Sequence, residues 1–201
     1  MKRILFLTAV AVFYYGNVNA QLQVSFGAKA GLSGANVKVS SINTDTKFGF
    51  YAGVLAEIKV SENFKVQPEL FYSQMGFKET FLIDRDMDEW AKAIAALDYI
   101  NLPVLLKYNY EGFSAFIGPQ VGYLLSAKAK TNSGTTDVKN SFESIDFSGV
   151  AGLGYTLPIG LGFDARYQLG FARLNKKNNE DDNPAKTRTY QVGLHYFFNR
   201  H

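Results

Sequence analysis

The sequence of 201 residues contains no cysteine. A disulfide framework, a thiolate zinc site and a thiol nucleophile are therefore excluded. Beyond residue 20 no apolar run approaches the roughly 18 residues of a membrane-spanning helix, so a bundle of spanning helices is also excluded. Neither sign of charge is in large excess, because 21 basic residues nearly balance 18 acidic residues. Nucleic acid is consequently not expected as a partner.

Aromatic residues and glycine are abundant by contrast. Aromatic residues make up 15% of the chain, and there are 18 glycines. With 47% hydrophobic residues the chain is long enough to fold around a core, which excludes disorder.

The first segment has the pattern of an export signal. Lys2 and Arg3 precede a mostly apolar run over 4–15, and small or modest side chains follow at Val18–Asn19–Ala20. We expect a signal peptide over 1–20 and a single domain over 21–201. A short membrane anchor is the alternative, but a run of about a dozen residues is below spanning length. Removing Lys2 and Arg3 leaves 19 basic against 18 acidic residues, a nearly neutral mature chain.

Alternation of apolar and polar residues with period two recurs eight times after residue 20, which predicts eight strands with unlike faces. The predicted strands cover roughly 22–34, 48–60, 64–77, 98–110, 113–127, 143–157, 160–174 and 189–198. Their connections alternate between short turns, at 61–63, 111–112 and around Pro158, and long polar segments. This order predicts an antiparallel up-and-down meander with both termini on the short-turn side, which faces the periplasm in bacterial outer-membrane barrels.

The volume of the side chains decides which face is inside. Five to seven large apolar residues per strand cannot fit the lumen of an eight-stranded barrel, whereas the polar face carries many glycines. The apolar face must point outward, toward lipid. The sequence therefore predicts an all-β, eight-stranded antiparallel transmembrane β-barrel, closed because an open edge in hydrocarbon leaves backbone groups unpaired. Pro68, Pro103 and Pro119 lie inside predicted strands and cannot donate to the ladder, so we expect β-bulges there.

Three segments stand out in the predicted strands: Gly27–Leu32, Gln67–Gln74 with Gly76 two places on, and Tyr99–Tyr108. They resemble the PorT-like outer-membrane β-barrel domain family that is common in Bacteroidota. The resemblance spans the mature chain and includes the segments that hold Pro68 and Pro103. It implies an eight-stranded barrel in the outer membrane, and it supplies no catalytic residues.

Charged residues on the predicted inner face are the main candidates for a site. They are Lys29, Glu57, Lys59, Glu69, Lys107, Asp146, Asp164, Arg166 and His195. Such residues could line an ion path, but in a narrow barrel charges must pair, so a network that plugs the lumen is favoured. A lipid-modifying enzyme would need a base, and His195, near the short-turn rim, is the available candidate. We expect no catalytic function.

The long connections hold the remaining candidates. Residues 86–97 combine an acidic start with helix formers, and they predict a short helix with Trp90, Ile94 and Leu97 on one face. That face would dock a protein partner or cap the barrel mouth. Residues 176–183 lack the ligand spacing of a calcium loop, and no metal or cofactor is expected.

Tyr196 and Phe198 close the last predicted strand and resemble the aromatic-ended signal that barrel-assembly machinery recognises. The sequence thus predicts an integral outer-membrane barrel with periplasmic termini, in contact with outer-membrane lipids, that acts as a non-enzymatic anchor or interaction platform through its long loops. A lipid-modifying barrel enzyme and a narrow ion-conducting pore are the alternatives.

Overall fold

A computed structural model describes residues 23–39, 42–43, 45–84, 89–131, 134–141, 143–171 and 186–199. The predicted signal peptide over 1–20 lies outside them. The described residues form ten strands: β1 (Val24–Val39), β2 (Ile42–Asn43), β3 (Asp45–Lys59), β4 (Phe64–Asp84), β5 (Glu89–Tyr110), β6 (Phe113–Thr131), β7 (Gly134–Asp137), β8 (Ile145–Thr156), β9 (Leu161–Gly170) and β10 (Lys186–Phe197).

Eight of these strands close into a barrel in the order β1-β3-β4-β5-β6-β8-β9-β10, and β10 pairs with β1. All neighbours are antiparallel. The two short strands lie in long connections, where β2 pairs with β1 and β7 pairs with β6. The predicted eight-stranded antiparallel barrel is confirmed.

Three tight turns, at 60–63, 111–112 and 157–160, lie at the end of the barrel that we call the short-turn end. The opposite end is the long-loop end. At the β5–β6 turn both Glu111 and Gly112 have positive φ, 47° and 87°. This is the backbone of a type I′ turn, whose twist matches that of the flanking strands.

The two faces of the strands divide as the alternation predicts. On β9, Leu161 and Phe163 are exposed on the outer surface, whereas Asp164 and Arg166 are buried in the lumen. Inward glycines make room for large rings: a Cβ at Gly193 would collide with the Tyr51 hydroxyl, and one at Gly152 would lie 2.5 Å from the Phe116 ring. The lumen is filled by a few large side chains beside many small ones.

The bulges predicted at the prolines are wrong. The register is unchanged on both sides of Pro68, Pro103 and Pro119. Each proline interrupts the ladder only toward the preceding strand of the barrel and pairs normally with the following strand. Each proline lacks one N–H donor, which interrupts the pairing locally. It does not insert an extra residue into the strand, as a β-bulge would. The register shifts occur elsewhere, between Thr46 and Tyr51, Leu82 and Asp84, and Asp98 and Tyr99.

The short helix predicted over 86–97 is also wrong. From Glu89 onward these residues belong to β5, which pairs with β4 from Leu82–Trp90 down to Met75–Leu97. The ladder satisfies the backbone groups of both strands, and this tertiary pairing outweighs the local helix propensity. No helix among the described residues is long and apolar enough to cross a membrane.

As a result β4, β5 and β6 extend well past their neighbours at the long-loop end. We call this extension the outer ribbon: 79–84 of β4, 89–96 of β5, 128–131 of β6, and β7.

Candidate functional site

A network of buried ion pairs crosses the lumen in the half nearer the short-turn end. The Glu69 carboxylate on β4 accepts hydrogen bonds from Lys29 Nζ at 2.7 Å and from Arg166 Nη1 at 2.8 Å. Arg166 Nε in turn donates to Asp164 Oδ1 at 2.8 Å. The Glu69–Arg166 pair joins β4 to β9 on the opposite side of the barrel, the Lys29–Glu69 pair joins β1 to β4, and the Arg166–Asp164 pair lies within β9.

A second arm is connected through Gln67. Lys107 Nζ donates to Glu57 Oε2 at 2.9 Å and to Gln67 Oε1 at 3.2 Å. The Gln67 amide donates to Glu69 Oε1 at 2.7 Å, which links the two arms. Lys65 also pairs with Glu57, at the edge of the network.

The buried charges of this network balance. Three cations, Lys29, Lys107 and Arg166, face three carboxylates, Glu57, Glu69 and Asp164, and all six are at most 6% exposed. Charge inside a low-dielectric lumen is tolerated only when it is paired and hydrogen-bonded, so the arrangement holds the strands together and fills the lumen.

Two predicted members of the network lie outside it. Lys59 is exposed at the short-turn end, because β3 ends there and its last inward position opens to solvent. Asp146 is buried, 8% exposed, but it lies across from Gly122 and makes no ion pair with another described residue. The remaining seven predicted residues are brought together.

His195 extends the network toward the short-turn end. Its Nδ1 lies 3.4 Å from Asp164 Oδ2, and its Nε2 lies 3.1 Å from the Thr156 hydroxyl. Hydroxyl, imidazole and carboxylate thus follow the order of a nucleophile, a base and an orienting group. All three residues are at least 92% buried, and the inward Phe197 ring packs edge-on against His195 at 5.4 Å.

Toward the long-loop end the lumen contains a polar layer and then an apolar one. Asn101 donates to the Ser73 hydroxyl at 2.8 Å and accepts from Gln120 at 3.1 Å. Beyond this layer lies an apolar cluster of Ala35, Met75, Leu97, Tyr99, Leu124 and Ala127. Side chains therefore occupy the lumen at each of these levels.

The patch predicted from Trp90, Ile94 and Leu97 does not form one face. In a strand, residues 90 and 94 share a face and residue 97 lies on the other. Leu97 is 1% exposed inside the barrel. The side chains of Trp90 and Ile94 lie outside what the structure describes, as does the segment 176–183.

The sequence analysis did not identify several residues that line the lumen. Gln67 joins the two arms of the network, and Phe71, Phe116 and Phe197 fill the lumen beside Tyr51, which the alternation had placed on the inner face. Their inward positions follow from strand parity, which was the available signal. Lys29 contacts two of these rings, at 5.0 Å from the Tyr51 centroid and 4.7 Å from the Phe71 centroid.

Tyr196 and Phe198 lie on the outer surface, 46% and 65% exposed, as the alternation predicts. Their recognition during assembly stays a prediction. Among the described residues, no group of three or more His, Asp or Glu side chains could hold a metal ion.

Comparison with known proteins agrees with this architecture. Residues 19–176 match the family model described as outer membrane protein beta-barrel domain. The structure is similar to that of the Neisserial surface protein A, with TM-score 0.60 and 13% identity over 88% of this chain and 99% of that chain. It is also similar to Ail, the attachment invasion locus protein of Yersinia pestis, with TM-score 0.53 and 17% identity over 88% and 100%. At these identities the likeness shows the fold alone. A search of curated proteins finds no match.

Proposed function

Because the chain belongs to the outer membrane protein beta-barrel domain family, we propose that it acts in the outer membrane as a non-enzymatic anchor or interaction platform. The observation that carries this proposal is the outer ribbon. Strands β4, β5 and β6 have 21, 22 and 19 residues, whereas β8, β9 and β10 have 12, 10 and 12. About 9 to 11 residues suffice to cross a bilayer. On the side formed by β4, β5 and β6 the sheet therefore extends well beyond the bilayer.

Within the family we place the chain among PorT-like barrels. The segments 67–76 and 99–108 support this placement.

The proposal puts the long-loop end outside the cell and both termini in the periplasm. Short turns on the periplasmic side are the rule in outer-membrane barrels. The absence of cysteine allows a clean test, because Thr136→Cys in β7 would be the single thiol. An impermeant maleimide should label it in intact cells and should leave Ser61→Cys, in a short turn, unlabelled until the cells are opened. The reverse pattern would reject this orientation.

The role of the ribbon is tested by crosslinking in intact cells. Photoreactive residues at positions 80 and 91 of the ribbon should give discrete adducts, and one at position 111 in a short turn should not give the same adducts. Replacing 79–94 by a two-residue turn should remove the adducts while the barrel keeps its heat-dependent gel shift. Identical adducts from position 111 would contradict a role for the ribbon.

A pore is not part of the proposal, because the ion network and the apolar cluster fill the lumen at successive levels. In planar bilayers the purified chain should give no unitary current. Steady channels that disappear after heat unfolding of the protein would favour the pore instead.

A lipid-modifying enzyme is the second candidate, since Thr156, His195 and Asp164 stand in the order of a catalytic triad. The three side chains are enclosed in the lumen, and Arg166 holds Asp164 within the ion network, so we assign them a structural role. His195→Ala and Thr156→Val should leave the lipid composition of the outer membrane unchanged. A lipid species that accumulates equally in both variants would support the enzyme.

A further inference from the structure

Three lysines form one row across the inner face of the barrel at the short-turn end. The register places Lys59 of β3 directly opposite Lys65 of β4, and it places Lys65 directly opposite Lys107 of β5. Directly opposed side chains on one face of a sheet have Cβ atoms about 4.5–5.5 Å apart, and like charges there repel each other. Anions between the ammonium groups would therefore stabilise the row.

One carboxylate already occupies the half of the row between β4 and β5. Glu57 Oε2 accepts a hydrogen bond from Lys107 Nζ at 2.9 Å, and Glu57 Oε1 pairs with Lys65. Both oxygens of Glu57 are thus in use. The side chains of Lys107 and Lys65 are 3% and 16% exposed, so the row becomes more open toward β3.

The half of the row between β3 and β4 lacks a carboxylate of its own. Lys59 is exposed and makes no ion pair with another described residue. The other two carboxylates of the network, Glu69 and Asp164, are both bound by Arg166. Because the six buried charges of the network balance, Lys59 and Lys65 leave two excess positive charges at this mouth of the barrel.

The turn next to the row does not supply the missing anion. Glu62 lies between β3 and β4, is exposed, and pairs with neither Lys59 nor Lys65. Above the row, the ion network and the apolar cluster fill the lumen. An anion that reaches Lys59 and Lys65 must therefore enter from the short-turn end.

From this geometry we infer that the mouth at the short-turn end binds an acidic peptide segment of a periplasmic protein, with a side-chain carboxylate held between Lys59 and Lys65. This carboxylate would repeat the bridge that Glu57 makes between Lys65 and Lys107. The periplasmic source of the peptide rests on the proposed orientation of the barrel, whereas the site itself does not.

Other anions fit this site less well. The three lysines occupy inward positions, whereas lipid headgroups surround the outer surface. A free carboxylate gains little from one exposed ion pair. Several carboxylates on one peptide raise the effective concentration at the site. Carboxylate is favoured over phosphate because the same row already binds the carboxylate of Glu57.

The test titrates a dye-labelled, end-blocked hexaglutamate peptide with the full mature chain, folded in neutral detergent at low salt, and measures fluorescence anisotropy. The wild type should bind hexaglutamate and should not bind hexaglutamine. Lys59→Ala should weaken binding about fivefold, the upper end for one exposed ion pair. Lys59→Glu should weaken it further and should raise the thermal midpoint of the barrel, because the new carboxylate would itself pair with Lys65.

The matched control is Lys128→Ala, which removes an exposed lysine of the outer ribbon and should bind as the wild type does. All variants must show the heat-dependent gel shift of a folded barrel. No binding by the wild type, unchanged binding in Lys59→Ala, or equal weakening by Lys128→Ala would each overturn the proposal. At matched ionic strength, displacement by inorganic phosphate would overturn the choice of carboxylate. Displacement by glutarate at the same carboxylate concentration would overturn the choice of a peptide.

Binding in micelles has no sidedness and does not involve the photoreactive positions of the ribbon. The site can therefore fail while the proposed function stands, and it can stand while the thiol labelling rejects the orientation.

Discussion

Glu69 on β4 and Arg166 on β9 stand on diametrically opposite walls of the barrel and join across the lumen. Glu69 accepts from Arg166 Nη1 at 2.8 Å and from Nη2 at 3.4 Å. They are 97 residues apart in sequence, and their strands have three others between them in either direction around the ring. The pair therefore joins two strands that share no backbone hydrogen bonds.

Glu69→Ala should destabilise the barrel by about 3–5 kcal/mol, because Lys29 and Arg166 would be left as buried, uncompensated cations. Equilibrium urea unfolding in lipid vesicles measures the loss. Lys59→Ala, which removes an exposed lysine, is the control and should change stability by at most about 0.5 kcal/mol. K29M/E69M should recover part of the loss, since it removes one charge of each sign. A cost for Glu69→Ala as small as that of Lys59→Ala would contradict the role of the network.

Gly193→Ala should cost about 1–3 kcal/mol, because the new Cβ would meet the Tyr51 hydroxyl and would lie 2.5 Å from the Ala30 carbonyl oxygen. Tyr51→Leu in the same chain should recover part of this cost by removing the ring. Gly154→Ala, whose nearest contact would be 3.0 Å, should cost less. Thermal midpoints from the heat-dependent gel shift rank the variants. Equal losses at both glycines would indicate that ring packing does not set the requirement.

Glu111→Gly should stabilise the barrel by about 1 kcal/mol, since Glu111 has φ 47° in the first central position of the β5–β6 turn. Gly112→Ala, at φ 87°, should have the opposite effect. Unfolding rates in urea measure both changes. A destabilised Glu111→Gly variant would mean that the Glu111 side chain, and not the turn geometry, governs this position.

Phe198→Glu should sharply lower the amount of folded protein in the outer membrane, because it places a charge on the lipid face at the end of the last strand, where Phe198 is 65% exposed. Phe197→Leu is the control, since Phe197 points into the lumen and is 3% exposed. Quantitative blots of outer-membrane fractions compare the two variants. Wild-type levels of the Phe198→Glu variant would remove this residue from the assembly signal.

Much of the barrel could be predicted from residue order because the strand period is two and both faces are distinct. The alternation on β9 assigned Phe163 to lipid and Asp164 to the lumen, and both assignments are confirmed. The proline and helix predictions failed for a common reason. At Pro68 and over 89–97, the partner strand decides the backbone conformation, and a partner strand is not visible in local sequence.

The sequence by itself determined the number of barrel strands, their antiparallel order and the face that meets lipid, since each follows from periodicity, turn residues and side-chain volume. Tertiary structure alone decided which charges meet. Glu69 joins Lys29 and Arg166, and Lys59 is left at the rim. Those encounters depend on strand register and on the closure of β10 onto β1, which relate residues far apart in sequence through space.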